Sequence, residues 1–111
     1  MSDGIFVYFW EYRVRPGAER EFARHYGPDG TWVRLFRLGA GYLGTELLRD
    51  RRAPDRYLTV DRWASEAAFR EFRERFAAEF DDLDQRCAAL TIRETALGEF
   101  ADARDEGRGL P

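Results

Sequence analysis

The sequence predicts a single α+β domain in which four strands alternate with helices. Two observations carry this prediction. Runs rich in β-branched and aromatic residues occur four times, and the stretches between them place apolar residues at helical steps of three and four. A chain of 111 residues is about one domain long and can bury roughly two thirds of its unfolded surface. We expect residues 1–100 to form the domain and the Gly-rich, charged residues 101–111 to form a flexible tail.

The first strand and the two helical segments after it follow from local composition. Residues 5–15, IFVYFWEYRVR, favour a strand, and Pro16-Gly17 ends it as a turn. Residues 18–26 place apolar side chains on one face with charged side chains between them, which indicates a short amphipathic helix. Thr31 can cap a second helical segment that ends before Gly39.

The second half of the chain predicts a hairpin, a long helix and a last strand. Residues 42–50 and 56–63 form the hairpin, with Pro54 in its polar turn. Ser65 is a suitable N-cap for one helix of about four turns, and residues 88–100 favour the fourth strand. The apolar stripe of the helix consists of Phe69, Phe72, Phe76, Phe80 and Leu83.

The resulting order, β-α-β-β-α-β, is the ferredoxin-like arrangement, a four-stranded antiparallel sheet with its helices on one face. The other face of the sheet is then left open. Because the first strand begins apolar on both faces, something has to cover that second face. The simplest cover is the same face of a second copy, so we expect a homodimer through the open sheet face.

Composition narrows the classes of partner. The net charge is −3 and acids and bases are interspersed, so we expect no nucleic-acid partner. No apolar run approaches the roughly 20 residues that span a bilayer, and no signal-peptide pattern is present, so we expect no membrane partner and a cytoplasmic location. One Cys, Cys87, and one His cannot form a disulfide or the usual zinc ligand set, and we expect no metal site.

Two segments carry a resemblance to a known family: GYLGTELL at 41–48 and YLTVDRWASEAAF at 57–69. The second resembles the antibiotic-biosynthesis-monooxygenase group of dimeric α+β barrels, in which a strand ending in Trp is followed by Ser and a helix that opens with Ala and an aromatic residue. The resemblance implies a pocket between sheet and helices where a polyphenolic substrate reacts with oxygen without flavin, haem or metal. We therefore expect no cofactor, and Trp63 inherits a pocket role.

This sequence departs from the pattern of active members at two positions. Thr59 stands where some carry Asn, and Phe69 stands where they carry Tyr. The haem-degrading branch of the family fits less well, because its Asn on the first strand corresponds to about Tyr12 and no His follows Trp63 at about ten residues. We expect no haem degradation.

Strand alternation defines the candidate site. Tyr57, Thr59, Asp61 and Trp63 share one face of their strand, as do Tyr8, Trp10 and Tyr12 on the first strand. A carboxylate among aromatic rings has a raised pKa, so Asp61 is a candidate base for a phenolic proton; the alternative is a structural ion pair with an Arg. Tyr12 supplies either a pocket hydroxyl or a dimer contact.

His25 is the only His, and it either exchanges a proton with a bound phenol or is a satisfied residue without a catalytic role. The remaining candidates are pocket walls, with plain core packing as the alternative for Trp32, Phe36, Phe69 and Phe72. Aromatic residues make up 15% of the chain, more than a small core needs, which favours an aromatic-lined pocket or an interface. The wall candidates are Trp10, Trp32, Phe36, Tyr57, Thr59, Phe69 and Phe72.

Three functions fit these observations. The first is a cofactor-independent monooxygenase that forms a quinone from a polycyclic phenolic or related aromatic small molecule, with Trp63 shaping the pocket and Asp61, His25 or Tyr12 handling the proton. The second is a non-catalytic protein of the same fold that binds small hydrophobic molecules or acts in a stress response. The third is a polyketide-cyclase-like enzyme, which needs acid–base groups but no oxygen.

Overall fold

The computed structural model describes residues 4–103. The strands and helices, in chain order, are β1 (Phe6–Val14), α1 (Glu19–Tyr26), α2 (Thr31–Phe36), β2 (Tyr42–Arg49), β3 (Arg56–Trp63), α3 (Glu66–Arg75), α4 (Ala77–Cys87), a single 3-10 turn (Ala88–Leu90) and β4 (Thr91–Ala101). The four strands form one antiparallel sheet in the order β2-β3-β1-β4. The predicted ferredoxin-like α+β fold is confirmed.

The two faces of the sheet differ in what covers them. On the helix-covered face, Tyr8 lies opposite Asp61 and Trp10 lies opposite Thr59 in the β1–β3 ladder. Side chains on this face pack against the helices, where Phe22 and Phe72 are almost fully buried. This aromatic layer between sheet and helices is the core of the domain.

The open face carries apolar side chains that no element within residues 4–103 covers. The rings of Phe9 and Phe100 lie edge to face, 5.4 Å apart, on neighbouring strands. Leu48 and Phe100 are 49% and 50% exposed. Phe9 and Phe100 thus form an apolar pair on the adjacent strands β1 and β4, and Leu48 adds a separate exposed group on β2. Exposed apolar groups of this size are typical of a surface that is covered by a partner.

The prediction of a single long helix after Ser65 is wrong, because the chain forms two helices with a break at Phe76. The backbone of Phe76 leaves the helical region, at φ −111° and ψ 30°. The two halves pack on different partners: Phe72 contacts Trp63 at 5.0 Å, whereas Phe80 contacts Trp32 at 4.8 Å. Tertiary packing therefore overrides a helical periodicity that is unbroken in the sequence.

Other boundaries shift by a few residues. Ser65 is the N-cap as predicted, since its Oγ accepts a hydrogen bond of 3.0 Å from the backbone N–H of Ala68. Thr31 is not a cap; it is the first helical residue of α2, and its hydroxyl bonds to a side chain instead of the helix backbone. The fourth strand begins at Thr91 rather than Ala88, because residues 88–90 form the 3-10 turn.

The last strand, β4, continues to Ala101. The N–H of Asp102 donates a hydrogen bond of 3.0 Å to the carbonyl of Ile5. Most of the predicted tail, residues 104–111, lies outside the described residues.

Candidate functional site

A cavity of about 420 Å³ lies between the helix-covered face of the sheet and the helices. This volume lies within the roughly 300–1,000 Å³ that is usual for small-molecule sites. Seven of the residues singled out in the sequence line it: Trp10, Tyr12, Trp32, Phe36, Thr59, Asp61 and Phe69. Four others do not line it: Trp63, His25, Tyr57 and Phe72.

Asp61 is the buried carboxyl group of this cavity. Its residue is 5% exposed, and it lies at the middle of β3, opposite Tyr8 on one side and Thr45 on the other. Burial raises the pKa of Asp61 to about 7, and the hydrogen bond from Thr45 opposes that rise. Within residues 4–103 it forms no salt bridge, so the described contacts do not support the alternative of an Arg-paired structural carboxylate. At neutral pH the group can both accept and release a proton.

A chain of three hydrogen-bonded side chains ends at this carboxyl. The hydroxyl of Thr45 donates to Asp61, and the Tyr42 hydroxyl lies 2.6 Å from the Thr45 oxygen. Because the single hydroxyl hydrogen of Thr45 is directed at Asp61, Tyr42 is the donor in the second bond. The chain therefore runs from Tyr42 through Thr45 to Asp61.

A β-bulge explains why Tyr42 and Thr45 meet. Residues three apart on a regular strand point to opposite faces. Here Tyr42 pairs with Trp63 and Gly44 pairs with Arg62, which leaves the residue between them unpaired. The extra residue returns Tyr42 to the face of Thr45, and Gly44 accommodates the bulge with φ at +156°.

Two tyrosines of β1 stand beside the carboxyl as neutral phenols. Burial raises the pKa of Tyr8 and of Tyr12 well above the usual value, and the charge of Asp61 acts in the same direction. The Tyr8 hydroxyl accepts a hydrogen bond of 3.3 Å from the indole N–H of Trp63. Both phenols therefore stay protonated at neutral pH and can donate hydrogen bonds.

Two buried polar atoms of the cavity have no hydrogen-bond partner among the described residues. They are the indole nitrogen of Trp32, on α2, and the hydroxyl oxygen of Thr59, on β3. A buried polar group without a partner costs about 1–3 kcal/mol of stability. Neither atom is exposed to the cavity, and each lies close to a tyrosine, Trp32 to Tyr26 and Thr59 to Tyr12.

Trp63 contacts residues that line the cavity without lining it itself. It is 0% exposed and contacts the rings of Phe36, Phe69 and Phe72 at 5.0 to 5.9 Å. Its hydrogen bond holds the phenol of Tyr8, which does line the cavity. Trp63 therefore positions a cavity residue and does not touch the cavity itself.

The other predicted residues outside the cavity have structural surroundings. The ring of Tyr57 packs on Phe22 at 5.0 Å, in the core. His25 lies 2.9 Å from the Thr31 hydroxyl and 3.2 Å from the Glu21 carboxylate, through its two ring nitrogens. Both nitrogens of His25 are thus engaged on α1 and α2, away from Asp61, and the satisfied role fits it.

Charged residues of α3, α4 and β4 line the rest of the cavity. Arg70 forms ion pairs of 3.1 Å with Glu66 and 2.8 Å with Glu99. The guanidinium of Arg73 lies 3.7 Å from the centre of the Phe80 ring. Burial raises the pKa of Glu94, which accepts a hydrogen bond from Thr91. This part of the lining is polar, whereas the walls around Asp61 are aromatic.

Within residues 4–103 no group of three or more His, Cys, Asp or Glu side chains is arranged to hold a metal ion. Over the same range, no helix has the length and apolar character needed to cross a membrane. The cytoplasmic location stays a prediction.

Most of the chain, including the strands that carry Asp61 and Thr45, matches one known protein family. The match to the antibiotic biosynthesis monooxygenase family covers residues 5–82, from the start of the first strand into α4. The chain belongs to this family. No curated protein matches it.

Solved structures of the same fold agree with this membership in the antibiotic biosynthesis monooxygenase family. SnoaB from Streptomyces nogalater, a cofactor-independent oxygenase, is 20% identical with a TM-score of 0.68, covering 89% of this chain and 93% of that one. PA3566 from Pseudomonas aeruginosa is 16% identical with a TM-score of 0.67, covering 92% and 97% of the two chains. At these identities the likeness concerns the fold.

Among other residues of the site, sequence reasoning missed the two hydroxyl groups linked to Asp61, those of Tyr42 and Thr45. The signal for Thr45 was present, because in a hairpin with a turn at residues 50–55 it falls near the position opposite Asp61. The signal for Tyr42 was absent, since it depends on a bulge that alternation does not predict.

Proposed function

We propose that this protein is a cofactor-independent monooxygenase that oxidises a polycyclic phenolic small molecule to a quinone, with Asp61 as the base. The observation that carries the proposal is the buried carboxyl of Asp61, 5% exposed, among the aromatic walls of a cavity of about 420 Å³. Its pKa of about 7 matches the requirement that a general base work near neutral pH.

The chemistry needs proton removal and exclusion of water. Asp61 takes the phenolic proton, and the resulting phenolate is rich enough in electrons to reduce O₂ at a ring carbon. For an anthrone, the CH₂ group becomes a carbonyl: one oxygen atom of O₂ enters the ring, and the other leaves as water with the two hydrogens. The ring carbon supplies all four electrons, so the atoms and electrons balance. The aromatic walls keep bulk water from the reacting carbon.

The aromatic lining of the cavity supports a flat aromatic substrate, since the rings of Trp10, Trp32 and Phe36 form part of its walls. Phe69 supplies an apolar wall where the resemblance expects a Tyr. Proton removal is therefore assigned to Asp61, while the phenols of Tyr8 and Tyr12 donate hydrogen bonds without releasing their own protons.

The test is oxygen uptake with mass analysis of products, using anthrones and naphthalene-type quinols as substrates. We expect the wild-type protein to consume one O₂ per product and to add one oxygen atom from labelled O₂. Asp61→Asn keeps the shape of the side chain and removes the base, so we expect a rate lower by about 10²–10⁴-fold. His25→Gln is the matched control and is expected to react like wild type.

Three outcomes would contradict this proposal. Turnover that survives in Asp61→Asn would remove the base from the mechanism. Ligand binding without any oxygen uptake would instead favour the non-catalytic binding protein, and product formation without O₂ would favour the cyclase-like enzyme.

We also propose that the protein is a homodimer through the open sheet face. The exposed side chains of Leu48 and Phe100, together with the Phe9–Phe100 ring pair, support an apolar surface on three of the four strands. Covering such a surface with its own copy buries it with twofold symmetry. The molar mass in solution, measured by light scattering, tests this directly; a monomer at micromolar concentration would refute it.

A further inference from the structure

The proton that Asp61 accepts has to leave the cavity before another turnover. Asp61 is 5% exposed, and a ligand in the cavity covers that remaining contact with water. The cavity walls next to it are aromatic, apart from the hydroxyl groups of Thr45 and Thr59 and the phenols of Tyr8 and Tyr12. These two phenols hold their own protons strongly because burial raises the pKa of both. A route through the ligand side is therefore closed during catalysis.

A second route begins on the opposite side of the carboxyl. Thr45 and Tyr42 both belong to β2, the edge strand of the sheet, and they form the hydrogen-bonded chain to Asp61. Thr45 lines the cavity, whereas Tyr42 does not. Tyr42 is only half-buried. Burial raises the pKa of Tyr42, while its hydrogen bond with Thr45 and the charge of Arg37 oppose that rise. The chain thus leads from the cavity to a half-buried residue on an edge strand of the sheet.

We propose that Tyr42 and Thr45 are positioning residues that form a proton relay from Asp61 to the outer edge of the sheet. The inference rests on the proposed function, because it assigns a path to the proton that the reaction delivers to Asp61. In the relay Asp61 donates to the Thr45 oxygen, Thr45 donates its own hydrogen to Tyr42, and Tyr42 releases its hydrogen to water. One proton enters and one leaves, and no hydroxyl has to exist as an anion.

The local geometry fits a relay better than a purely structural contact. A structural role would be met by the Thr45 bond to Asp61 alone. The bulge at Gly44 adds a second hydroxyl to the chain, at 2.6 Å. Hydroxyl groups are both donors and acceptors, so each link can reverse its direction, which a backbone N–H cannot do.

The charged and titratable groups around Asp61 enter the design of the test. From β1 these are Tyr8 and Tyr12, and from β2 they are Thr45 and Tyr42. Among the helices, α3 contributes Arg70 and Arg73 and α4 contributes Asp84, while β4 contributes Glu94 and Glu99. None of the variants below alters a charge, so a change in rate does not arise from a changed field at Asp61.

The test uses a coloured ligand whose absorbance reports its own ionisation, 2-hydroxyanthraquinone, bound to the whole protein. After a rapid pH jump in a stopped-flow instrument, the absorbance relaxes as the proton enters or leaves the site. We expect Thr45→Val and Tyr42→Phe to slow this relaxation by about tenfold or more, less than the roughly 10²–10⁴-fold effect of losing a direct acid–base group. Thr45→Ser restores a hydroxyl and is expected to relax like wild type.

The dissociation constant of the dye is measured in parallel by calorimetry and should change by less than about twofold in Tyr42→Phe, because Tyr42 does not line the cavity. Equal relaxation rates in wild type, Thr45→Val and Tyr42→Phe would overturn the relay. Oxygen uptake is measured separately. Slowed relaxation in the variants, with no oxygenase activity in the wild type, would contradict the proposed function and leave the relay. Oxygenase activity with unchanged relaxation in the variants would contradict the relay and leave the proposed function.

Discussion

Two aspartates of one hairpin, Asp61 and Asp50, have opposite electrostatic environments. Asp50 lies in the β2–β3 turn, where its carboxylate accepts hydrogen bonds from the N–H groups of Arg52 and Ala53 and from the Arg56 guanidinium, which together lower its pKa to about 2. Asp61 lies eleven positions later, inside the cavity, where burial raises its pKa to about 7. The same residue type is a fixed anion in one place and a proton acceptor in the other.

The difference teaches that the partners available to each carboxylate decide its role. The turn supplies donors because its backbone N–H groups are not used in the sheet ladder. Arg56, which also pairs with Glu11 across the sheet, adds its guanidinium as a further donor. The cavity supplies one hydroxyl donor, from Thr45, and otherwise aromatic rings. A carboxyl in the second setting is retained at a cost in stability, which is typical of functional sites.

The largest effect that would sharpen this comparison is the pH dependence of stability in Asp61→Asn. Because the pKa of Asp61 is raised in the folded state, the folded protein binds more protons than the unfolded chain between about pH 4 and pH 7. The carboxyl therefore costs nothing at pH 4 and a few kcal/mol at pH 8, because a tenfold difference in proton affinity between the folded and unfolded states corresponds to about 1.4 kcal/mol. We expect the free energy of unfolding of the variant to exceed that of wild type at pH 8, but not at pH 4.

Urea unfolding at both pH values measures this difference. The other carboxylates are common to both proteins, so their contributions cancel in the comparison. A variant that is less stable than wild type at pH 8 would mean that Asp61 is stabilised by a partner, and its role as a base would then lose its physical basis.

The sequence predicts which face of the sheet a side chain occupies, but not how deeply it is packed. Strand alternation is enough to place Asp61, Thr59 and Tyr12 on the helix-covered face, because the β1–β3 ladder is regular around them. Alternation also places Trp63 on that face, but it does not show that Phe36 and Phe72 cover the indole and separate it from the cavity. Layer depth depends on side-chain packing between distant elements, which a pattern of faces does not contain.

The sequence also predicts some boundaries of strands and helices and misses others. Strands were predicted to within a few residues because Pro, Gly and Asp mark their turns. The break at Phe76 was not, since it contains neither Gly nor Pro and interrupts a continuous apolar stripe. The bulge beside Gly44 is intermediate: a glycine inside a strand indicates a bulge, but not which side chains it brings together.

A smaller effect is expected from Thr59→Val, which tests the cavity side of the comparison without touching a charge. Valine has nearly the shape of threonine and removes the unpartnered hydroxyl. We expect the unliganded protein to gain up to about 1–3 kcal/mol in its free energy of unfolding, because the cost of a buried unpaired group is removed. Urea unfolding measures this gain, and unchanged stability would show that Thr59 is satisfied by water or by the Tyr12 hydroxyl.

The smallest effect is expected from Asp50→Asn, which tests the turn side. The pKa of Asp50 is lowered in the folded state, so its contribution to stability is present above the unfolded pKa of about 4 and is lost as the pH falls towards 2. The variant should therefore be less stable than wild type at pH 7 and approach it in acid, the reverse of the trend for Asp61→Asn. Because the turn is exposed to solvent, salt should weaken the difference, which the midpoint of thermal unfolding at low and high ionic strength measures. A pH trend of the same sign in both aspartate variants would mean that the turn and the cavity do not differ as their contacts indicate.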